Sequence, residues 1–96
     1  MSNFLLGNLC ASHLVASKAA ENRAFENFIW QAVDRYRQGD WGDLSASDKR
    51  ANDLAVQQGG RRIFAAYIYE AQPNLNIWII TEADRSATTV IFPDEY

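Results

Sequence analysis

The chain has one cysteine, one histidine, one methionine and two prolines among its 96 residues, and no long run of like charge. Each scarcity excludes something. A single cysteine cannot close an internal disulfide, so the fold must stand on packing and hydrogen bonds, which fits a reducing, cytoplasmic setting. Cys10 sits in an apolar segment with no adjacent base or cation, so an inert core thiol is expected. The lone His13, just after Ser12, reads as a surface or boundary residue rather than a general base. The nine Lys and Arg residues pair up only at Lys49-Arg50 and Arg61-Arg62, and the formal charge is −3. Direct nucleic-acid binding, which draws on a basic stripe, is therefore disfavoured. No apolar run approaches the roughly 20 residues a bilayer requires, and residues 1–6 lack the basic region of a signal peptide. A soluble single domain over 1–96 is expected.

What is present is an ordinary globular balance, 48% apolar and 22% charged, enough for one small core. Apolar residues 6–10 predict a short strand, and Ser12 can cap a helical turn through Ala16. Phe25, Phe28, Ile29, Ala32, Val33 and Tyr36 recur at the spacing of a half-buried helix, predicted over 21–38 and stopped by Gly39. A weaker helix is predicted over 47–58, with Ser45 and Asp48 resembling a capping box, Ser47 as the alternative cap, and Gly59-Gly60 at its end. The rest reads as strands: 62–69, 77–81 and 88–92, with a turn at Gln72-Pro73-Asn74 and Pro93 ending the last. The fold class is α+β: an antiparallel sheet of three to four strands, a C-terminal meander, packed against two helices from the N-terminal half.

Two segments carry the most local definition. Gly39-Asp40-Trp41-Gly42-Asp43-Leu44, with Asp48 and Asn52, forms one; Trp78-Ile79-Ile80-Thr81-Glu82-Ala83-Asp84-Arg85-Ser86, Thr88-Thr89 and Pro93-Asp94-Glu95-Tyr96 form the other. In these words the chain resembles a family of small bacterial proteins carried on plasmids and other mobile elements, over residues 6–96. The aromatic-rich stretch 21–36 departs from it, being more hydrophobic than that family's pattern. The resemblance implies a mobile-element accessory protein; it assigns no activity, cofactor or catalytic residue.

The candidate ligand or partner surface is Asp40, Trp41, Asp43, Glu82, Asp84 and Arg85. An indole flanked by carboxylates can stack on a ring or cation, and the carboxylates with Arg85 can hold a polar ligand or a metal. The structural alternative is favoured: Trp41 as a lid over the helices, Asp43 beginning the next helix cap, Asp84 capping turn amides and Arg85 clasped by Asp40 or Asp43. That alternative requires the 39–44 loop and the 82–86 turn to be neighbours. No catalytic residue, metal site or cofactor is assigned, since no Ser-His-Asp, Cys-His, zinc-ligand or phosphate-loop pattern is present.

Both faces of the meander carry apolar side chains, so something must cover the side away from the helices. The aromatic helix, the N-terminal segment and a second copy are the candidates, and a homodimer is favoured. The expected function is a non-enzymatic protein-interaction module whose carboxylates suit a partner with a basic surface, such as a host defence or replication protein. The rival is a small metal-assisted hydrolase or nuclease using Asp40, Asp43, Glu82 and Asp84.

Overall fold

A computed structural model describes residues 4–96; the expectation about the chain's start falls partly outside them. Strand β1 (Asn8–Ala11) leads into helices α1 (His13–Glu21), α2 (Arg23–Arg37) and α3 (Ala46–Gln58). Strands β2 (Ile63–Tyr67), β3 (Ile77–Thr81) and β4 (Ala87–Ile91) follow, with short 3-10 turns at Pro73–Leu75 and Pro93–Glu95. The fold is α+β as expected.

Two expectations about it need correction. The sheet has order β1-β4-β3-β2, and β1 pairs parallel with β4 while the other pairs are antiparallel, so the sheet is mixed. A parallel neighbour needs a crossover, and the helices between β1 and the meander supply it. There are also three helices rather than two. The turn expected after Ser12 runs on for nine residues as α1, its start held by the Ser12 hydroxyl, which accepts from the Val15 amide. Asn22 adopts an extended conformation and caps α2 through its side chain, which accepts from Phe25 N–H. The helix expected over 21–38 is found as α2, starting two residues later because Asn22 caps it with a side-chain carbonyl that competes with the helical backbone.

α2 buries Phe25, Ile29, Ala32, Val33 and Tyr36 against one face of the sheet, as its periodicity predicts. The facing residues are Ile63, Ala65, Tyr67, Ile77, Ile79 and Val90. Burying each large aliphatic or aromatic side chain contributes about 1.5–3 kcal/mol before chain entropy is counted. Through this core runs a chain of hydroxyls. Thr88 donates to Leu6 C=O at 2.7 Å, Thr81 and Thr88 lie 2.7 Å apart, Tyr36 and Thr81 2.7 Å apart, and Tyr36 also reaches Ile63 C=O at 3.0 Å. Three protons serve four contacts: Thr88's is spent on Leu6, Thr81 therefore donates to Thr88, and Tyr36 shares its own between Thr81 and Ile63. The network ties α2 to three strands and the N-terminal segment, which fixes register as well as stability.

The edge strand β2 is sealed. The Asn52 carboxamide, on α3, donates to Phe64 C=O at 2.7 Å and accepts from Phe64 N–H at 3.3 Å. Further along, Asp43 N–H donates to Ala66 C=O and the Asp43 carboxylate accepts from Ile68 N–H. Every outward backbone group named here has a side chain or loop on it, the standard defence of a sheet edge.

The sheet's second face is covered in part by an element absent from the three candidates. After β4 the chain turns at Pro93 and lays Tyr96 beside Trp78, with ring centroids 5.4 Å apart, while Arg62 donates to the Tyr96 hydroxyl at 2.9 Å. Glu95 holds the turn by accepting from Phe92 N–H and from the Ser12 hydroxyl.

Candidate functional site

The acidic hinge is built by the end of α2. Gly39 takes φ +85 and stops the helix, as expected, and Asp40 N–H returns to Arg35 C=O. Arg35 grips the Asp40 carboxylate with two donors at 2.7 and 3.2 Å, and Gly42 N–H adds a third. The Arg35 guanidinium holds Asp40 below the usual carboxylate range, and Asp40 in turn raises Arg35. Arg35 also lies over the Tyr67 ring at 5.0 Å, and the Tyr67 hydroxyl donates to Asp40 C=O at 2.7 Å. Gly42 is obligatory: at φ +72 its backbone presses against Ala66 C=O and the Tyr67 ring, leaving no room for a Cβ. Trp41 is only 2% exposed, packs edge-on to Tyr36, and donates its indole N–H to Asp53 at 2.9 Å. It is a core residue, as the favoured alternative holds, and offers no ring for stacking on a ligand. Asp43 serves β2 rather than the α3 cap, which is Ser45 accepting from Asp48 N–H.

The hairpin tip has a different logic. Asp84 accepts from Ser86 N–H at 2.9 Å, the turn cap expected of it, and the Ser86 hydroxyl, followed by that amide, lowers its pKa. Arg85 adopts φ +62 and aims its guanidinium at carbonyls: Ala55 at 2.8 Å, Arg61 at 2.7 Å, Ala83 at 3.1 Å and Glu82 at 3.2 Å. It thereby satisfies the open end of α3 and staples the β2 approach to the tip, a favourable use of a cation at a helix C-terminus.

The two segments do not meet. Gly42 bridges to Ala66 near the end of β2, whereas Thr81 pairs with Ile63 at its start, three residues or about 10 Å away along the strand. The expected clasp between Arg85 and Asp40 or Asp43 is therefore wrong: Arg85 is consumed by carbonyls, and Asp40 by Arg35. Sequence shows that opposite charges exist on two loops; it does not show which end of a strand each loop reaches. The same separation divides the four carboxylates of the hydrolase reading into two pairs. Among the described residues no group of three or more His, Cys, Asp or Glu side chains is placed to hold a metal. Cys10 is a further correction: it is exposed on β1, because β1 lies at the sheet's margin rather than in its core. His13 is exposed, as expected.

No protein-family model, curated protein or solved structure matches this chain.

The feature with the shape of a binding site lies elsewhere, on the sheet face opposite the helices. Arg62, Phe64, Trp78, Ile80 and Tyr96 line a largely apolar notch of about 180 Å³. Phe64 and Trp78 stand on adjacent strands with rings 6.1 Å apart, and Tyr96 closes the far side at 70% exposure. Arg62 crosses the rim and pairs loosely with Glu82 at 3.5 Å. Of these residues only Glu82 belongs to the expected site. The signal for the others was in the alternation of β2 and β3, which sends Phe64, Trp78 and Ile80 away from the helices. What alternation could not give is the tail that turns an apolar face into a walled recess.

Proposed function

We propose that this chain is a non-enzymatic interaction module whose anchor point is the Tyr96 notch, and that it receives an aromatic side chain of a partner protein flanked by basic residues. The notch carries the reading. A dry apolar cavity of about 150 Å³ accommodates a benzene ring, so a recess of 180 Å³ suits one ring. It is smaller than the roughly 300–1,000 Å³ of sites for cofactor-sized ligands. Trp78, Phe64 and Tyr96 offer ring faces and edges, the usual material of an interface hot spot. Net charge of −3, with Glu82 on the rim and Asp94 exposed on the same tail, favours lysine or arginine beside the inserted ring. The resemblance to mobile-element proteins makes a host defence or replication protein the class of partner to test first.

Short capped peptides with a central tryptophan, flanked by lysines or by glutamates, test this directly by NMR of the labelled protein. Resonances of Arg62, Phe64, Trp78, Ile80 and Tyr96 should shift on titration, at lower concentration with the lysine peptide, and Tyr96→Ala should abolish the response. Shifts confined to the 39–44 hinge, or none at millimolar peptide, would remove the notch from consideration. Equal response to both peptides would remove the basic flank.

A further inference from the structure

The two edges of the sheet are treated unequally. β2 is plugged along its length by Asn52 and Asp43. Among the described residues β1, the other edge, pairs only with β4, and all four of its residues are exposed. Asn8 N–H donates to Ser86 C=O and Ser12 N–H to Val90 C=O. By the alternation of a parallel ladder, the N–H and C=O groups of Leu9 and Ala11 therefore point outward. The strand Asn-Leu-Cys-Ala has no charge, no proline and no bulge to discourage a neighbour.

Beside this bare edge lies an apolar groove lined by the β1 residues Leu9, Cys10 and Ala11 together with Ile29, Trp30, Val33 and Val90. Trp30 stands 55% exposed at the middle of α2, and Leu9 37% exposed on the strand. A protruding indole and an apolar groove thus sit on one patch. Knob and hole on the same surface are what a twofold contact requires, since each copy must supply both. A strand without charge meets its own copy without repulsion, whereas a patch shaped for a foreign partner is commonly marked by charge complementarity.

We infer that two copies of this chain join through β1, antiparallel and symmetric about Cys10, into one eight-stranded sheet with Trp30 from each copy flanking the axis. Leu9 of one copy then forms the hydrogen-bonded pair with Ala11 of the other, and the two Cys10 residues form the non-hydrogen-bonded pair. The register of β1 on β4 places Cys10 with Thr89 on the sheet face away from the helices. The two thiols accordingly face each other with Cβ atoms about 4.5–5.5 Å apart, near the range a disulfide accepts. A stable dimer buries about 800 Å² per partner, about one-seventh of the 5798 Å² surface of this chain. Four strand residues are too few for that, which is why the outer side of α2 at Trp30 belongs to the contact. The notch is on the opposite margin, near β2, and stays open.

Sedimentation equilibrium of the reduced full chain, with copper-phenanthroline oxidation in parallel, tests this. The expected result is a species of twice the chain mass that oxidation converts to a covalent dimer through its only cysteine. Leu9→Lys and Trp30→Ala, each checked for native circular dichroism, should both return monomer and lose the cross-link, while Tyr96→Ala should keep both. Monomer mass at roughly 100 µM, a concentration that populates any dimer of micromolar affinity, would overturn the inference. So would a dimer that survives Leu9→Lys, or one that dissociates with Tyr96→Ala; the latter would put the contact on the notch face. Because the peptide titration reads the notch alone, its outcome is independent of this one.

Discussion

Tyr36 shows how much one hydroxyl can hold. It is fully buried, and its single proton is shared between Ile63 C=O and Thr81 Oγ1. Tyr36→Phe keeps the ring contacts with Trp41 and Phe4 and leaves Ile63 C=O its ladder partner on β3, but takes the donor from Thr81 Oγ1, and an unmet buried acceptor costs about 1–3 kcal/mol. Urea unfolding should register that loss at neutral pH with an unchanged slope. Burial pushes the phenols of Tyr36 and Tyr67 well above their usual range. The unfolded chain ionises them near pH 10, so the stability they confer is complete below that pH and is lost as pH climbs above it. Alkaline unfolding above about pH 10 should therefore be steep in the parent and shallower in Tyr36→Phe. Asp40 works in the opposite direction. Its folded pKa lies below the unfolded value, so the Arg35 pair stabilises above about pH 4 and fades as pH falls through the folded pKa. Both partners are about half exposed (47% and 50%), which makes the pair a screened one. Asp40→Asn should cost no more than about 1 kcal/mol at pH 7. Thermal unfolding should show the gap between variant and parent narrowing steadily as pH is lowered below about 4.

At the scale of elements, the decisive contacts are those between a side chain and another element's backbone. Asn52 is the clearest, because its carboxamide replaces a missing neighbouring strand at Phe64. Asn52→Ala should destabilise by about 1–3 kcal/mol and also open β2 to other chains, visible as light scattering on warming. Asn52→Asp, which keeps an acceptor for Phe64 N–H but sets a buried carboxylate oxygen against Phe64 C=O, should cost at least as much at pH 7. Contacts of this kind explain where the sequence was legible and where it was not. The α2 stripe, the stops at Gly39 and Gly59, the Ser12 and Ser45 caps and the 77–81 strand are local signals, each decided within a turn or two of chain, and all are found in the structure. Asn52 reaching 12 residues onward to Phe64, and Arg85 reaching back 30 residues to Ala55, are decided by tertiary placement. Asn22 illustrates the boundary between the two: an asparagine within a helical pattern can face solvent or break the helix. Here it ends α1 and begins α2, its extended backbone closing one helix while its side chain accepts from Phe25 N–H of the next. The parallel pairing of β1 belongs to the same class, since a strand of four uncharged residues carries no mark of direction.

For the molecule as a whole, the unequal treatment of its surfaces is the main result. Helices cover one face of the sheet, a plugged edge closes β2, and among the described residues a four-residue tail shields part of the other face. That tail is held by Glu95 at its turn and by Arg62 and Trp78 at its tip. Two of the three holds are at exposed positions, so Tyr96 should be the most easily displaced element of the fold. Tyr96→Ala removes one aromatic pair, worth about 0.5–1.5 kcal/mol beyond its buried area, and leaves the helix-facing core untouched. The expected outcome is a small fall in melting temperature together with a clear rise in binding of the apolar dye ANS, as Phe64, Trp78 and Ile80 become accessible. Trp78→Ala on the same face should lose more stability, because Trp78 also packs on Phe64 and lies within β3. If the tail were a structural strap rather than a movable wall, Tyr96→Ala would instead unfold with a broadened transition and a reduced denaturant slope. A sharp, slightly lowered transition with raised dye binding is what a movable wall beside an otherwise intact recess should give.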